Sequence, residues 1–251
     1  MLLCQATGLT REQLITCHEN ILDAEQVAVF LHLAHARLQG QPMAYLLERR
    51  EFYGRMFKVN PSVLIPRPET ELLVETVLDA LAQFEAPTLL DLGTGSGAIA
   101  ITCALEAPHA KVSASDISTA ALNIACFNAQ QLAAPVTFVE SDWWQQFEQQ
   151  RFDVIVSNPP YIAAGDAHLQ QGDLRFEPQH ALTDFADGLA AYREIIAHAP
   201  HHLNPHGWLW LEHGYDQAEV IQHLLEQTGF EKLQCLTDLG GQPRVSGGQI
   251  A

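Results

Sequence analysis

Basic residues are scarce in this chain. Thirteen Lys and Arg stand against thirty Asp and Glu, a formal net charge of −17 over 251 residues. The average field of such a surface repels a polyanion, so a nucleic-acid role would need a local basic patch. Cysteine is also thin: Cys4, Cys17, Cys103, Cys126 and Cys235 are odd in number, scattered, and never in a C-x-x-C pair. That argues against a disulfide framework or a zinc knuckle, and makes a reducing cytoplasm the expected compartment. No apolar run approaches the roughly 18 residues of a membrane span, and the amino terminus MLLCQATGLTREQ has neither a basic n-region nor a sustained apolar core. Neither secretion nor a membrane partner is expected. His198, His201, His202 and His206 cluster beside two prolines without acidic or cysteine partners at ligand spacing. They read as a solvated helix end and turn, and no metal is expected.

What is present is a core-forming composition, 47% hydrophobic, enough for one large domain and a small accessory one. Up to about Gly40 the spacing is helical, as in Ala24, Val27, Leu31 and Ala34, and Gly40-Gln41-Pro42 breaks it. Arg49, Arg50, Arg55, Lys58 and Arg67 then place five of the thirteen basic residues within nineteen positions, beside Phe52, Tyr53 and Phe57. This one candidate basic patch reads as a hairpin, EFY and MFKV turning at Gly54-Arg55, with its charges solvated. From Glu69 the chain alternates. A helical stretch through Phe84 precedes TLLDL, a helix from Ala98, KVSAS, a helix from Thr119, VTFVE and FDVIVS. After a long irregular stretch come a helix over 189–199, GWLWLE and a last helix after Asp216. Such alternation predicts an α/β fold, a parallel sheet covered on both faces. The expected divisions are a helical region over 1–48, a hairpin linker over 49–65 and a sheet domain over 66–251.

In such sheets ligands bind beyond the carboxyl ends of the strands. The first informative end is Asp91-Leu92-Gly93-Thr94-Gly95-Ser96-Gly97, whose glycines permit a sharp turn. It lacks the Lys-Ser/Thr of a phosphate loop, which disfavours a triphosphate; a dinucleotide fingerprint stays open if Ala98 replaces the last glycine. Asp116, twenty-five positions after Asp91, is placed to accept both hydroxyls of a ribose. Asp142 and Trp143 offer an acceptor for an exocyclic amine and a ring to lie on a purine. Together they suggest an adenosine ligand. S-adenosylmethionine suits the site better than NAD, because no second Gly-rich half follows.

The fourth strand ends in Asn158-Pro159-Pro160-Tyr161. A planar NH2 group is a poor nucleophile because its lone pair is delocalised. The Asn158 side-chain oxygen and the Pro159 carbonyl can each accept one of its N–H groups and turn the lone pair toward a methyl donor. The prolines stiffen the turn, and Tyr161 can stack on the planar group.

With this motif after a G-x-G-x-G turn, the chain resembles the amino-methyltransferases that act on planar NH2 groups, either adenine-N6 in nucleic acid or glutamine in protein. L-I-P-R-P-E-T-E at 64–71, D-L-G-T-G-S-G-A-I-A at 91–100, I-V-S-N-P-P-Y-I, R-F-E-P at 175–178, L-E-H-G at 211–214 and the terminal D-L-G-G-x-x-R-V decide between them. They look like the peptide chain release factor N(5)-glutamine methyltransferases, the PrmC/HemK family, over about 23–248. The resemblance implies a class I, Rossmann-like methyltransferase sheet behind a small helical domain. It implies methyl transfer from S-adenosylmethionine to the glutamine of a release factor's Gly-Gly-Gln motif, with no direct nucleic-acid partner. The cofactor contacts it implies are Gly93, Thr94, Gly95, Ser96, Gly97, Asp116, Asp142, Trp143 and Asn158. Asn158, Pro159 and Tyr161 are then catalytic, and Asn158, Pro159, Pro160, Tyr161, Phe176 and Glu177 hold the glutamine, within a long loop over 162–188 that also carries Arg175.

The family pattern departs in two places. Its helical domain is usually longer, so this chain is expected to begin inside it, and Glu48 stands where a glycine is common. The tail spells the substrate tripeptide twice, at 240–242 and 247–249, which raises self-methylation of a flexible Gln249. Two further readings stand beside the protein-glutamine one. A nucleic-acid amino-methyltransferase would need salt-sensitive binding and a flipped base; a non-catalytic adenosine-binding module would bind cofactor without turnover.

Overall fold

The computed structural model describes residues 1–16 and 18–251; Cys17 lies outside the described residues. Four helices open the chain: α1 (Leu2–Thr7), α2 (Arg11–Thr16), α3 (Ala24–Leu38) and α4 (Met43–Leu46). Asp23 starts α3 with a reciprocal cap, accepting from the Gln26 N–H (2.8 Å) while Gln26 accepts from the Asp23 N–H (3.2 Å). The helical spacing is borne out, but its apolar stripe is not covered: Val27 and Leu31 are exposed, and α3 buries none of its residues.

The hairpin is present with its turn one residue earlier than expected. β1 (Arg49–Phe52) pairs with β2 (Arg55–Lys58), Phe52 opposite Arg55, so the turn is Tyr53-Gly54. Both turn residues have left-handed backbones (φ 51° and 71°), the combination that matches the twist of two antiparallel strands. Phe52 and Phe57 pack edge to face, 6.0 Å apart, inside the main core. Asn128, buried on α7 (Thr119–Leu132), ties this hairpin down: its Oδ1 accepts from the Lys58 N–H (2.7 Å), and its Nδ2 donates to the carbonyls of Lys58 (3.0 Å) and Ser96 (2.9 Å).

The remaining elements are α5 (Thr70–Leu81), β3 (Thr88–Leu92), α6 (Ala98–Glu106), β4 (Lys111–Asp116), β5 (Val136–Glu140) and β6 (Phe152–Ser157), then α8 (Ala190–His202), β7 (Leu203–Glu212), α9 (Ala218–Gln227), β8 (Glu231–Thr237) and β9 (Pro243–Gln249). Among the described residues they form a seven-stranded sheet in the order β5-β4-β3-β6-β7-β9-β8. The first five of these run parallel; the central β3 and β6 are buried on both faces, as residues 89–92 show, whereas the edge strand β5 buries none of its residues fully. On one face, Leu89, Val154, Val156, Trp208 and Trp210 pack with α5, α6 and the hairpin. On the other, Leu90, Leu92, Ile155, Leu209 and Leu211 pack with α8 and α9.

The sheet is not parallel throughout. β9 enters between β7 and β8, antiparallel to both, and neither closing strand was expected because Pro243-Arg244-Val245-Ser246-Gly247-Gly248-Gln249 has too little apolar alternation to read as one. Its glycines have a packing reason: a Cβ on Gly247 would lie 2.3 Å from Cε3 of Trp210. Gln249 is correspondingly not flexible. It is buried in β9, donating to the His206 carbonyl (2.8 Å) and accepting from Lys232 Nζ (2.6 Å), which removes it as a self-methylation target. The histidine cluster needs a second correction, since the buried His202 stacks on Trp144 with ring centroids 4.5 Å apart. Among the described residues no helix is long and apolar enough to cross a membrane, and Cys4, Cys103, Cys126 and Cys235 are free thiols.

Glu48 follows α4 with φ 53°, a left-handed backbone that an L side chain enters at a cost. Glycine takes that conformation freely. Glu48→Gly is therefore expected to stabilise the protein by about 0.5–1 kcal/mol, read as a higher midpoint in chemical denaturation with an unchanged slope.

Candidate active site

The sheet changes winding direction between β3 and β6. From β3 the chain moves outward to β4 and β5, then crosses back to β6, so the loops after β3 and β6 part and leave a crevice. A cavity of about 770 Å³ lies there, in the range of sites that enclose a small ligand.

Asp91 anchors the first loop. Its carboxyl is fully buried and accepts from the Thr94 hydroxyl (2.7 Å) and the Ala100 N–H (3.3 Å); Oδ1 finds no hydrogen-bond partner among the described residues. Burial pushes its pKa up to about 7, with the Thr94 and Ala100 bonds opposing. The Gly93 and Thr94 N–H groups donate to the Ser115 carbonyl (2.9 and 2.8 Å), which seats the turn against β4. Gly93, Thr94, Gly95 and Ser96 line the cavity. Gly97 does not: a Cβ there would approach Ile101 Cδ1 to 2.7 Å and Ala125 Cβ to 3.2 Å, so this glycine lets α6 start close against α7.

Asp116 ends β4 facing the cavity, and its carboxylate also braces the turn by accepting from the N–H groups of Gly95 (2.9 Å) and Ser118 (2.9 Å). Burial raises its pKa while those bonds oppose the rise. After β5, the Ser141 hydroxyl donates to the Trp143 carbonyl (2.9 Å) and accepts from the Gln146 N–H (3.2 Å), holding Trp143 in a left-handed backbone (φ 45°). Trp143 Cζ3 comes within 3.8 Å of where a Gly93 Cβ would sit, which puts the indole beside the glycine turn. Asp142 and Trp143 are both on the cavity wall, and the buried Trp144 joins that wall to the core on the α8–α9 side.

Asn158, Pro159 and Pro160 form the wall after β6, and Asn158 Nδ2 lies 3.4 Å from the Thr70 hydroxyl oxygen. Tyr161 does not line the cavity. It packs against the core on the α8–α9 side, its carbonyl accepts from Gln217 Nε2 (3.0 Å), and burial pushes its hydroxyl up to about 12. Phe176 and Glu177 also sit off the wall. Phe176 packs against the cluster of Tyr45, Val63 and Ile124, under the guanidinium of Arg175. The buried Glu177 accepts from the Ile65 N–H (3.0 Å) and pairs with Arg67, fastening the segment that gives the cavity Leu64, Pro66 and Arg67.

Sequence reasoning passed over several wall residues. The stretch over 162–188 folds back beside the Asn-Pro-Pro turn through the Ile162 N–H and the Leu182 carbonyl (2.9 Å), bringing Thr183, Asp184 and Phe185 to the opening. Asp184 accepts from the N–H groups of Ala186, Gly188 and Ala190, each within 3.0 Å. Thr70 was embedded in a recognised motif without a role. Short Asx-type loops have no apolar period, so little but the spacing of Asp184 and Gly188 could have marked them.

Asp116, Asp142, Asp184 and Glu194 outnumber Arg67 on this wall, a charge balance that suits a ligand with a positive centre such as a sulfonium. The fold and the crevice at its winding switch define a class I methyltransferase. The solved 16S rRNA N2 G1207 methyltransferase of T. thermophilus, in complex with AdoMet and guanosine, shares that fold with a TM-score of 0.60 at 22% identity, over 81% of this chain and 50% of that one. Family models agree in both parts of the chain, the PrmC N-terminal domain over 1–47 and the methyltransferase small domain over 68–174. The release factor glutamine methyltransferases of Burkholderia pseudomallei and Bordetella pertussis are each 51% identical over the full chain, which covers 90% and 93% of those proteins. The chain belongs to the release factor glutamine methyltransferase family.

Two outcomes follow from the acids. Asp116→Ala is expected to weaken S-adenosylmethionine binding by at least about ten-fold in calorimetry, since it removes a carboxylate that faces the cavity and braces the glycine turn. Asp91 ionises less readily folded than unfolded, so its contribution to stability is full below about pH 4 and is lost as pH rises through about 7. The thermal midpoint of the ligand-free protein should therefore fall between these limits, and fall less in Asp91→Asn.

Proposed function

We infer that the chain transfers the methyl group of S-adenosylmethionine to the side-chain amide nitrogen of a glutamine in a peptide chain release factor, that of its Gly-Gly-Gln motif. The observation that carries this reading is a single shared cavity. Asn158 and Pro159 open onto the space enclosed by the glycine turn, Asp116, Asp142 and Trp143, in a chain whose relatives carry that activity in their names. When bound, S-adenosylmethionine supplies an electrophilic methyl on a sulfonium. Residues 93–96 would hold its methionine end, Asp116 its ribose hydroxyls, Asp142 its exocyclic amine and Trp143 its adenine ring.

The chain's own residues make the amide reactive. Asn158 Oδ1 and the Pro159 carbonyl accept the two N–H groups of the glutamine, fixing the nitrogen in line and favouring the positive charge that develops on it. Pro159 and Pro160 keep that turn rigid and offer no competing donor. Tyr161 backs the turn from the core. No side chain is assigned as base, because the methylated nitrogen is acidic enough to release its proton to water. The division into a helical region over 1–48, a hairpin linker over 49–65 and a catalytic domain over 66–251 is part of the same reading, as is a place in the cytoplasm, where release factors act.

The adenine reading is disfavoured by the fate of the basic patch. Arg55 pairs with Glu106 and Arg67 with Glu177, while Lys58 Nζ lies 4.7 Å from the centre of the Phe127 ring, so three of the five cations of the patch are engaged within the protein.

Mass spectrometry of the Gly-Gly-Gln peptide from a full-length release factor, incubated with this protein and S-adenosylmethionine, should show one added methyl on the glutamine. Adenine-containing DNA run in parallel should stay unmodified, and methyl on DNA alone would transfer the assignment to nucleic acid. Asn158→Ala should cut turnover by about two to three orders of magnitude with cofactor affinity near normal.

A further inference from the structure

Three elements converge behind Asn158. Thr70 opens α5, Asn158 follows β6 and Glu212 closes β7. Thr70 and Glu212 are buried, at 5% and 1% exposure, and the methyl-transfer chemistry described above uses neither. Burial drives the Glu212 carboxyl up to about 7, opposed by hydrogen bonding from Thr70, by Arg244 and by Asn158. Its Oε2 finds no hydrogen-bond partner among the described residues. A carboxyl in that position draws whatever donors lie within reach.

An asparagine side chain has a donor end and an acceptor end, and half a turn about its last bond exchanges them. A substrate NH2 offers donors, so only the rotamer with Oδ1 toward the cavity can receive it. In the structure Nδ2 faces Thr70, and a hydroxyl that accepts from Nδ2 keeps its own hydrogen for another acceptor, for which Glu212 is on hand. We propose that Thr70 and Glu212 are positioning residues that set the Asn158 carboxamide in its productive orientation, through a relay from Nδ2 to the Thr70 hydroxyl to the Glu212 carboxyl. The Asn158 Nδ2 to Thr70 hydroxyl contact is 3.4 Å, and in this relay it tightens as a substrate N–H draws on Oδ1. The proposal rests on the methyl-transfer reading, which gives Asn158 its task.

Thr70→Val keeps the shape and removes the hydroxyl, whereas Thr70→Ser keeps the hydroxyl and removes the methyl. In release-factor methylation, Thr70→Val should lower kcat roughly 10- to 100-fold, with the KM for the release factor and cofactor affinity within about two-fold. Thr70→Ser should stay within about three-fold of the natural protein. Equal loss in both variants, or none in Thr70→Val, overturns the proposal. Nitrogen NMR of asparagine-labelled protein reads the relay without turnover. The Asn158 side-chain NH2 signal, assigned by its loss in Asn158→Ala, should move in Thr70→Val and Glu212→Gln and hold in Thr70→Ser; a signal unmoved in all three also overturns it. A natural protein that left release factor unmethylated while these signals responded as expected would sink the functional reading and leave the relay standing.

Discussion

A carboxyl group that folding removes from water must be met by donors from its own chain, and this site is organised around such meetings. Asp91 gathers Thr94 and Ala100 and so sets the start of the glycine turn; Asp116 takes the next N–H of that turn from the neighbouring strand. Glu177 fastens the segment before α5, and Asp184 collects the N–H groups that lead into α8. Each acid converts a loop that could wander into one with few alternatives. The formal charge of −17 also overstates the charge the surface carries, since Asp91 and Glu212 are buried carboxyls with pKa values raised to about 7.

The second organising contact is Asn128. One buried side chain spans Lys58 in the hairpin and Ser96 at the end of the glycine turn. The hairpin's aromatic pair fixes its position against α5, and Asn128 fixes its height relative to the cavity floor. The linker between the helical region and the sheet is thereby part of the site's frame, although its charged residues first draw the eye as a binding patch.

The parallel core was legible because its strands are continuous apolar runs separated by helices of ordinary length, and its strand ends carried small, acidic or Pro-rich residues that local propensity does not explain. The stretch Asp91–Gly97 showed where the chain turns but not that Gly97 serves helix packing, because that depends on Ala125, which arrives from another element. Phe176 and Glu177 were read as pocket residues from their motif. Glu177 instead bonds Ile65 and Arg67 across some 110 positions, and Phe176 packs against the cluster of Tyr45, Val63 and Ile124, contacts that no local pattern reports. The closing strands were missed for a related reason: glycines at 247 and 248 look like loop until Trp210 and Phe230 are known to lie against them. Thr70, Asp184 and Glu212 likewise take their meaning from neighbours far away in sequence.

The order of strands at the sheet's end has a consequence for synthesis. β8 is held to the sheet through β9, which follows it in the chain and lies between it and β7. As the polypeptide leaves the ribosome, β8 emerges first and has no strand to join until β9 threads into place. Until then β7 offers an open edge on the side where Leu211 and Glu212 later meet Ser246 and Val245, so the strand end that carries Glu212 behind Asn158 is among the last parts of the molecule to become rigid.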